Sequence, residues 1–288
     1  MNLWTFLAGQ PALFLTFAGL LGLLVGSFIN VVAYRLPIML ERQWQREAQE
    51  VLGLPVQEHE RFDLCLPASH CSHCGHRIRA WENIPVLSYL ALRGRCSACK
   101  ASIGIRYPLV ELGCAVLSVV VAWQFGPTLQ ALLGLVLTWS LLSLSLIDSD
   151  HQLLPDALVK PVLWLGLACN TFGVFVPLPE AVWGAIIGYL SLWAVYWLFK
   201  LVTGKEGLGY GDFKLLALIG AWGGWQVLPL TLLLSSVVGA VIGVCLLRLR
   251  KASMGSTMPF GPYLAIAGWI AMLWGDEIYV SYMQLLGN

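Results

Sequence analysis

The sequence predicts an all-α, polytopic membrane protein with about eight transmembrane helices and a small cytoplasmic zinc-binding domain between helices 1 and 2. Three observations carry that expectation. Hydrophobic residues make up 58% of the 288 positions and charged residues only 11%, with a mean hydropathy of +0.74, whereas soluble domains run nearer about half and a quarter. Apolar runs of about 20 residues, enough to cross about 30 Å of hydrocarbon, recur along the chain. One polar stretch interrupts them, and it holds ten of the 17 Lys and Arg residues and five of the eight cysteines.

The apolar runs cover residues 11–34, 109–125, 129–147, 157–176, 181–202, 213–249 and 260–283. The sixth is long enough to cross twice, with a turn at Gly223, Gly224 and Trp225, which makes eight spans. Nothing basic precedes the first run and no small-residue cleavage site follows it, so it reads as a retained helix rather than a removable signal. Lys and Arg mark the cytoplasmic side of short loops. Threading eight spans puts all 17 on one face, and the turns at 126–128, 177–180 and 223–225 hold none. Both termini are then expected in the periplasm. Residues 1–35 read as the first transmembrane helix, 36–107 as the cytoplasmic domain and 108–288 as a seven-helix membrane domain. The bilayer is the expected surface partner and no nucleic-acid partner is expected; the net charge of +1 adds little.

The cytoplasmic stretch contains "CSHCGHRIRAWENIPVLSYLALRGRCSACK". Cys71 and Cys74 form one C-x2-C and Cys96 and Cys99 a second, 21 residues on. Two such knuckles supply four thiolates in a tetrahedron, and Gly75 permits the tight turn after the first. On the cytoplasmic side these thiols stay reduced, which argues against disulfides. Zinc is the expected metal, and iron accepts the same four thiolates. His70, His73, His76 and Cys65 crowd the first knuckle and read as solvated loop residues. Cys114, Cys169 and Cys245 fall in spans and read as small packing residues.

Ionisable side chains at membrane depth are costly, so each marks a functional position by default. Glu111, Asp148, Asp150, Asp156, Glu206 and Asp212 lie at the cytoplasmic ends of spans. Asp148 closes the third span in "LIDSDHQLLPD" and Asp212 opens the sixth in "GLGYGDFKLLALIG". The topology derived from Lys and Arg alone brings these two to one face, although 64 positions separate them. From Phe213 to a turn at Gly224 a helix is roughly 18 Å long at 1.5 Å per residue, too short to cross, so Asp212 is expected below the membrane surface. Gly209 and Gly211 are expected to loosen the backbone leading into it. The bland alternative is that Asp212 only caps a helix, and Asp156, after Pro155, reads as an N-cap.

Gly-Tyr-Gly-Asp at 209–212 resembles the GxGD signature of intramembrane aspartyl proteases, and "DSDHQLLPD" its companion motif, in which an aspartate precedes a proline by seven positions. That spacing singles out Asp148, seven before Pro155, rather than Asp150. "GSFINVVAYRLP" from Gly26, "IRYPLVE" from Ile105 and "MPFGPYLA" from Met258, with the two knuckles, resemble the type IV prepilin peptidases. The resemblance spans nearly the whole chain. It implies an aspartic endopeptidase of the bacterial inner membrane, with Asp148 and Asp212 catalytic, that removes the leader peptide of prepilins and pseudopilins on the cytoplasmic side. It also implies N-methylation of the new terminus with S-adenosylmethionine as donor. "GLGYG" is not G-x-G-x-x-G and lacks a strand-to-helix setting, so no residue is singled out for the methyl donor. Neither G-x-S-x-G nor H-E-x-x-H occurs, which leaves serine and zinc proteolysis without support. Two rival classes are a proton-coupled transporter, which usually shows repeated halves absent here, and a non-catalytic pilus or secretion assembly protein using the zinc domain for partner binding.

Overall fold

The computed structural model describes residues 9–55, 60–250, 259–285 and 287, the side chains of 246–250 excepted. Lys251 and the two chain ends, on which the expected topology also rests, lie outside these residues, as does Met258 of the "MPFGPYLA" stretch. Among the described residues the helices are α1 (Pro11–Val51), a 3-10 turn (Ala80–Asn83), α2 (Leu87–Ala91), α3 (Arg106–Phe125), α4 (Leu129–His151), α5 (Asp156–Asn170), α6 (Leu178–Thr203), α7 (Tyr210–Gly223), α8 (Val227–Arg250) and α9 (Gly261–Leu285). Strand pairing is limited there to isolated bridges, His70 with Arg77 and Arg95 with Ser102.

Five of these helices are long and apolar enough to cross a membrane: α1, α3, α4, α6 and α8 over Val227–Cys245. Of the other three expected spans, α5 and α7 are shorter than that, and α9 is long but not regular. Helix α5 has 15 residues and α7 has 14, about 22 Å and 21 Å at 1.5 Å per residue. The apolar run at 157–176 is not all helix because the Asn170 side chain ends it. Its Nδ2 donates to the Ala221 and Trp222 carbonyls at the end of α7, and its Oδ1 accepts the Phe175 and Val176 amides. Helix α9 leaves helical geometry at Trp274 (φ −132°, ψ 16°). The turn expected near Gly224 is present, with Gly224 at φ 76°.

Contacts divide the chain into two compact units, Met1–Trp139 and Ser140–Asn288, with α4 contributing to each. In the first, α1 and α3 pack antiparallel through small residues. A Cβ at Gly22 would stand 2.7 Å from the Ala115 Cα, and one at Gly26 2.8 Å from the Glu111 Cα. Association of membrane helices depends on such close approach, since lipid tails are as apolar as leucine. Helix α1 does not stop where its apolar run ends. It continues through Pro37 to Val51, and Arg35 reaches from it to donate to the Asp63 and Pro67 carbonyls at 2.9 and 2.7 Å.

In the second unit α7 is the central element. From Asp212 to Gly223 every residue but Lys214 is buried. Gly184 of α6 lies against the Gly220 backbone, and a Cβ at Gly188 would stand 2.7 Å from the Leu216 carbonyl oxygen. Gly166 of α5 takes the Trp222 indole, whose Nε1 donates to the Val162 carbonyl at 2.9 Å. Ile219 fills the space beside Gly268 of α9.

Candidate active site and metal centre

Helix α4 ends at His151, and Asp148 projects from its last turn, 5% exposed. Gln152, at φ 52°, reverses the chain and donates its N–H to the Asp148 carbonyl at 2.9 Å. That reversal folds the buried Leu154 back over the site. A Cβ at Gly211 would meet the Leu154 Cβ at 2.9 Å, and one at Gly261 would meet Leu154 Cδ1 at 3.4 Å. One leucine thus gathers the lead-in of α7 and the start of α9 around the end of α4. Asp148 Oδ2 accepts the Gly261 amide at 3.0 Å.

Asp212 lies in the first turn of α7, 7% exposed. Its Oδ2 accepts the Gly209 amide at 3.2 Å, so it does cap its own helix. Leu154 lies against Gly211, the residue before Asp212, and against Gly261, whose amide Asp148 accepts, so the two carboxylates border one leucine. Capping therefore does not take Asp212 away from the site. The loosening role expected of the two glycines is corrected: Gly209 has φ −82° and ψ 146°, extended backbone open to any residue. Gly211 is glycine for space, because Leu154 occupies the place of its side chain.

The neighbouring acids sort differently. Asp150 is exposed. Pro155, not Asp156, is the N-cap of α5. Asp156 instead pairs with Lys214 of α7 at 2.6 Å and with Lys160 at 2.8 Å, which joins the first turns of α5 and α7. Sequence reasoning missed this pair and the Gly261 contact, although Gly261 lies in the "MPFGPYLA" stretch. It also missed the polar knot beside Asp212. Tyr196, buried in α6, donates to Glu206 at 3.1 Å, Lys200 donates to the same carboxylate at 2.8 Å, and Tyr210 donates to the Tyr196 hydroxyl at 3.4 Å. Phe213 packs on Tyr196 and Tyr210 with centroids 5.7 and 5.4 Å apart. The loop before α7 is thereby pinned from both sides. Glu206, with Lys200 and Tyr196 donating to it, is held below the usual carboxylate range.

In the first unit the sulfurs of Cys71, Cys74, Cys96 and Cys99 lie within 4.8 Å of one another. Cys71 and Cys99 are 3.8 Å apart and Cys74 and Cys96 4.0 Å. A tetrahedron with bonds of about 2.3 Å has edges of about 3.8 Å, so the four thiols fit a tetrahedral metal. The knuckles share one backbone plan. Gly75 and Lys100, each following a second cysteine, have φ 70° and 62° and donate to the Cys71 and Cys96 carbonyls at 2.9 and 3.1 Å. The His73 and Cys74 amides point at the Cys71 sulfur and pull its thiol down to about 7. Cys99 and Ala98 amides lower Cys96 in the same way. His76 stands outside the cluster, 3.3 Å from both Glu82 and Ser97, and His70, His73 and Cys65 are exposed. Cys114 and Cys169 are buried as expected, whereas Cys245 is exposed on α8.

A polytopic helical membrane protein with a buried carboxylate pair and a four-cysteine cluster is the class these features define. The bacterial peptidase A24 N-terminal domain matches residues 20–125, and the type IV leader peptidase family matches residues 135–244. The chain belongs to the type IV leader peptidase family. It is 79% identical over 287 residues to a prepilin leader peptidase/N-methyltransferase of Pseudomonas putida, covering 100% of both chains. Relatives with the same description in Stutzerimonas stutzeri and Pseudomonas aeruginosa are 66% and 64% identical, over 97% of both chains and over 100% and 99% respectively. No solved structure matches the chain.

Proposed function

We propose that this protein cleaves the leader peptide of type IV prepilins and pseudopilins at the cytoplasmic face of the bacterial inner membrane and N-methylates the new N-terminus. One observation carries the proteolytic reading: Asp148 and Asp212, presented by a helix end and a helix start, are both buried, each accepts one backbone amide, and Leu154 packs against the glycine beside each of them. Such a pair shares one proton. The ionised carboxylate takes a proton from water as the water oxygen attacks the scissile carbonyl, and the protonated one gives its proton to the departing amine as the C–N bond breaks. The Gly209 and Gly261 amides and the Leu154 wall hold the two side chains in that relation.

The metal we assign to the cysteine cluster is zinc. Four protein thiolates leave no open position, so its part is structural, holding residues 70–102 together. Methyl transfer rests on the family, with S-adenosylmethionine as the methyl donor. The topology we favour has eight crossings and periplasmic termini, with α5, α7 and α9 completing the set. Reporter fusions after Leu54 and Lys251 should then give a cytoplasmic signal and one after Leu178 a periplasmic signal, and a single contrary result breaks the scheme.

The deciding experiment incubates purified protein with a prepilin and reads cleavage by mass spectrometry. Asp148→Asn and Asp212→Asn should each abolish cleavage while leaving the protein inserted, metal-loaded and able to methylate a pre-cleaved substrate. Full cleavage by Asp212→Asn at matched expression would reduce that residue to a helix cap and sink the protease reading.

A further inference from the structure

Glu111 is a carboxylate within a membrane helix whose partner lies outside that helix. It is 8% exposed in the second turn of α3, and its Oε2 accepts the Val86 amide at 2.8 Å. Its depth follows from the register of α1 on α3. Gly22 meets Ala115, Gly26 meets Glu111, and Asn30 donates to the Tyr107 carbonyl at 3.3 Å. Glu111 is therefore level with Gly26, nine residues before Arg35, or roughly 13 Å inward along α1 at 1.5 Å per residue. Arg35 reaches carbonyls of the soluble segment, and Arg106, exposed at the start of α3 five residues before Glu111, brings the charged side to within roughly 8 Å of it at 1.5 Å per residue. Val86 is held at that boundary.

The turn that brings it there is unusual. Val86 has φ 59° and ψ −48°, a region β-branched residues rarely adopt, and Leu87 N–H closes back on the Pro85 carbonyl at 2.5 Å. The segment so held is unsuited to water. Leu87 and Leu90 are 66% and 64% exposed, and Ile84 and Trp81 are exposed beside them. Leu87 and Leu90, three apart on α2, share a face. Leu109 and Leu112 of α3, either side of Glu111, are exposed as well, so this apolar surface continues the lipid-facing side of α3. Around it Arg77, Arg79, Arg93 and Arg95 are exposed, while the one acid between the first knuckle and α3, Glu82, is already engaged by the Arg79 amide at 2.8 Å.

We propose that residues 81–91 form an interfacial foot: the apolar face of Trp81, Ile84, Leu87 and Leu90 is sunk in the acyl boundary of the protein's own membrane, and the flanking arginines bind anionic phospholipid headgroups. The Glu111–Val86 hydrogen bond sets its depth, which puts acyl chains rather than another protein against it. The test places a benzophenone amino acid at position 87 or 90 of the full chain in nanodiscs of phosphatidylethanolamine and phosphatidylglycerol, with position 112 as lipid-facing control and position 72 on the exposed knuckle as water-facing control. Lipid adducts at 87 and 90 should exceed those at 72 by about tenfold. They should fall by roughly threefold when phosphatidylglycerol is replaced by phosphatidylcholine, while position 112 is unaffected. Labelling at 87 and 90 no higher than at 72, with 112 labelled normally, overturns the foot, as do crosslinks to a second copy of the chain in place of lipid. Equal labelling in the two lipid mixtures overturns the anionic preference.

Discussion

Asp148 Oδ2 takes the Gly261 amide at 3.0 Å, 113 positions along the chain, and a Cβ at Gly261 would stand 2.7 Å from that same oxygen. Glycine is what lets the amide come so close. Gly261→Ala should therefore push the carboxylate away from Asp212 and lower leader cleavage by tenfold or more, about 1.4 kcal/mol of transition-state stabilisation. Thermal unfolding measured alongside should move little by comparison. Wild-type cleavage by this variant would show that the contact does not orient Asp148.

Gly211 makes a parallel case with a different neighbour. Its side-chain position is occupied by the Leu154 Cβ at 2.9 Å, so Gly211→Ala should impair cleavage. In a Leu154→Gly background, which lacks that Cβ, Gly211→Ala should cost little further. A glycine kept for flexibility would show the same cost in either background, and kinetics of the double variant decides between the two.

The ion pair between Asp156 and Lys214 is half exposed and predicts a modest effect. Asp156→Asn should keep at least partial cleavage and cost up to about 1 kcal/mol of stability. A double-mutant cycle of Asp156→Asn with Lys214→Met, read in denaturant melts, should give a coupling energy of the same modest size. Asp150→Asn, on an exposed side chain, should leave cleavage near normal. Loss of cleavage in Asp150→Asn comparable to that in Asp148→Asn would reassign the pair.

Removing one thiolate from a closed four-ligand site leaves three, which hold a structural metal poorly. Cys71→Ser or Cys96→Ser should release the metal that the wild type retains, at about one ion per chain, when both are purified under reducing conditions and analysed by mass spectrometry. Metal-free wild-type protein would contradict the zinc assignment.

Asp63 links the soluble segment to Arg35. The Leu66 and Cys65 amides, and then Arg61, hold its carboxyl below the ordinary value, so its contribution to stability is present above the unfolded carboxylate range and is lost as pH falls through the lower folded value. Exchange of the Cys65 and Leu66 amides should accelerate on acidification below about pH 4 beyond the intrinsic pH dependence. In Asp63→Asn that additional dependence should vanish, and its persistence would assign it to another group.

What was legible in the sequence was what local spacing encodes. Two C-x2-C knuckles, the Gly224 turn and the shortness of α7 each follow from a few neighbouring residues. What escaped depends on partners far along the chain. Asn170 stops α5 because the carbonyls it binds belong to α7, 51 and 52 positions on, and hydropathy alone counts that stretch as one span. Gly211 read as a hinge because its sequence neighbours do not reveal that Leu154 lies against it. The contact of Lys214 with Asp156 joins residues 58 positions apart, and no local spacing signals it.

The enclosure of α7 has a consequence for how the protein is made. A 14-residue helix with almost no outward face offers the insertion machinery little lipid preference to act upon, so it must enter the bilayer as a passenger of α6, the helix it packs against most extensively. Its grip on α6 is backbone against backbone at Gly184 and Gly188. A bulkier residue at either glycine would strand the helix during synthesis and deliver the chain to membrane quality control, so such lesions would appear as missing protein rather than as a slow enzyme.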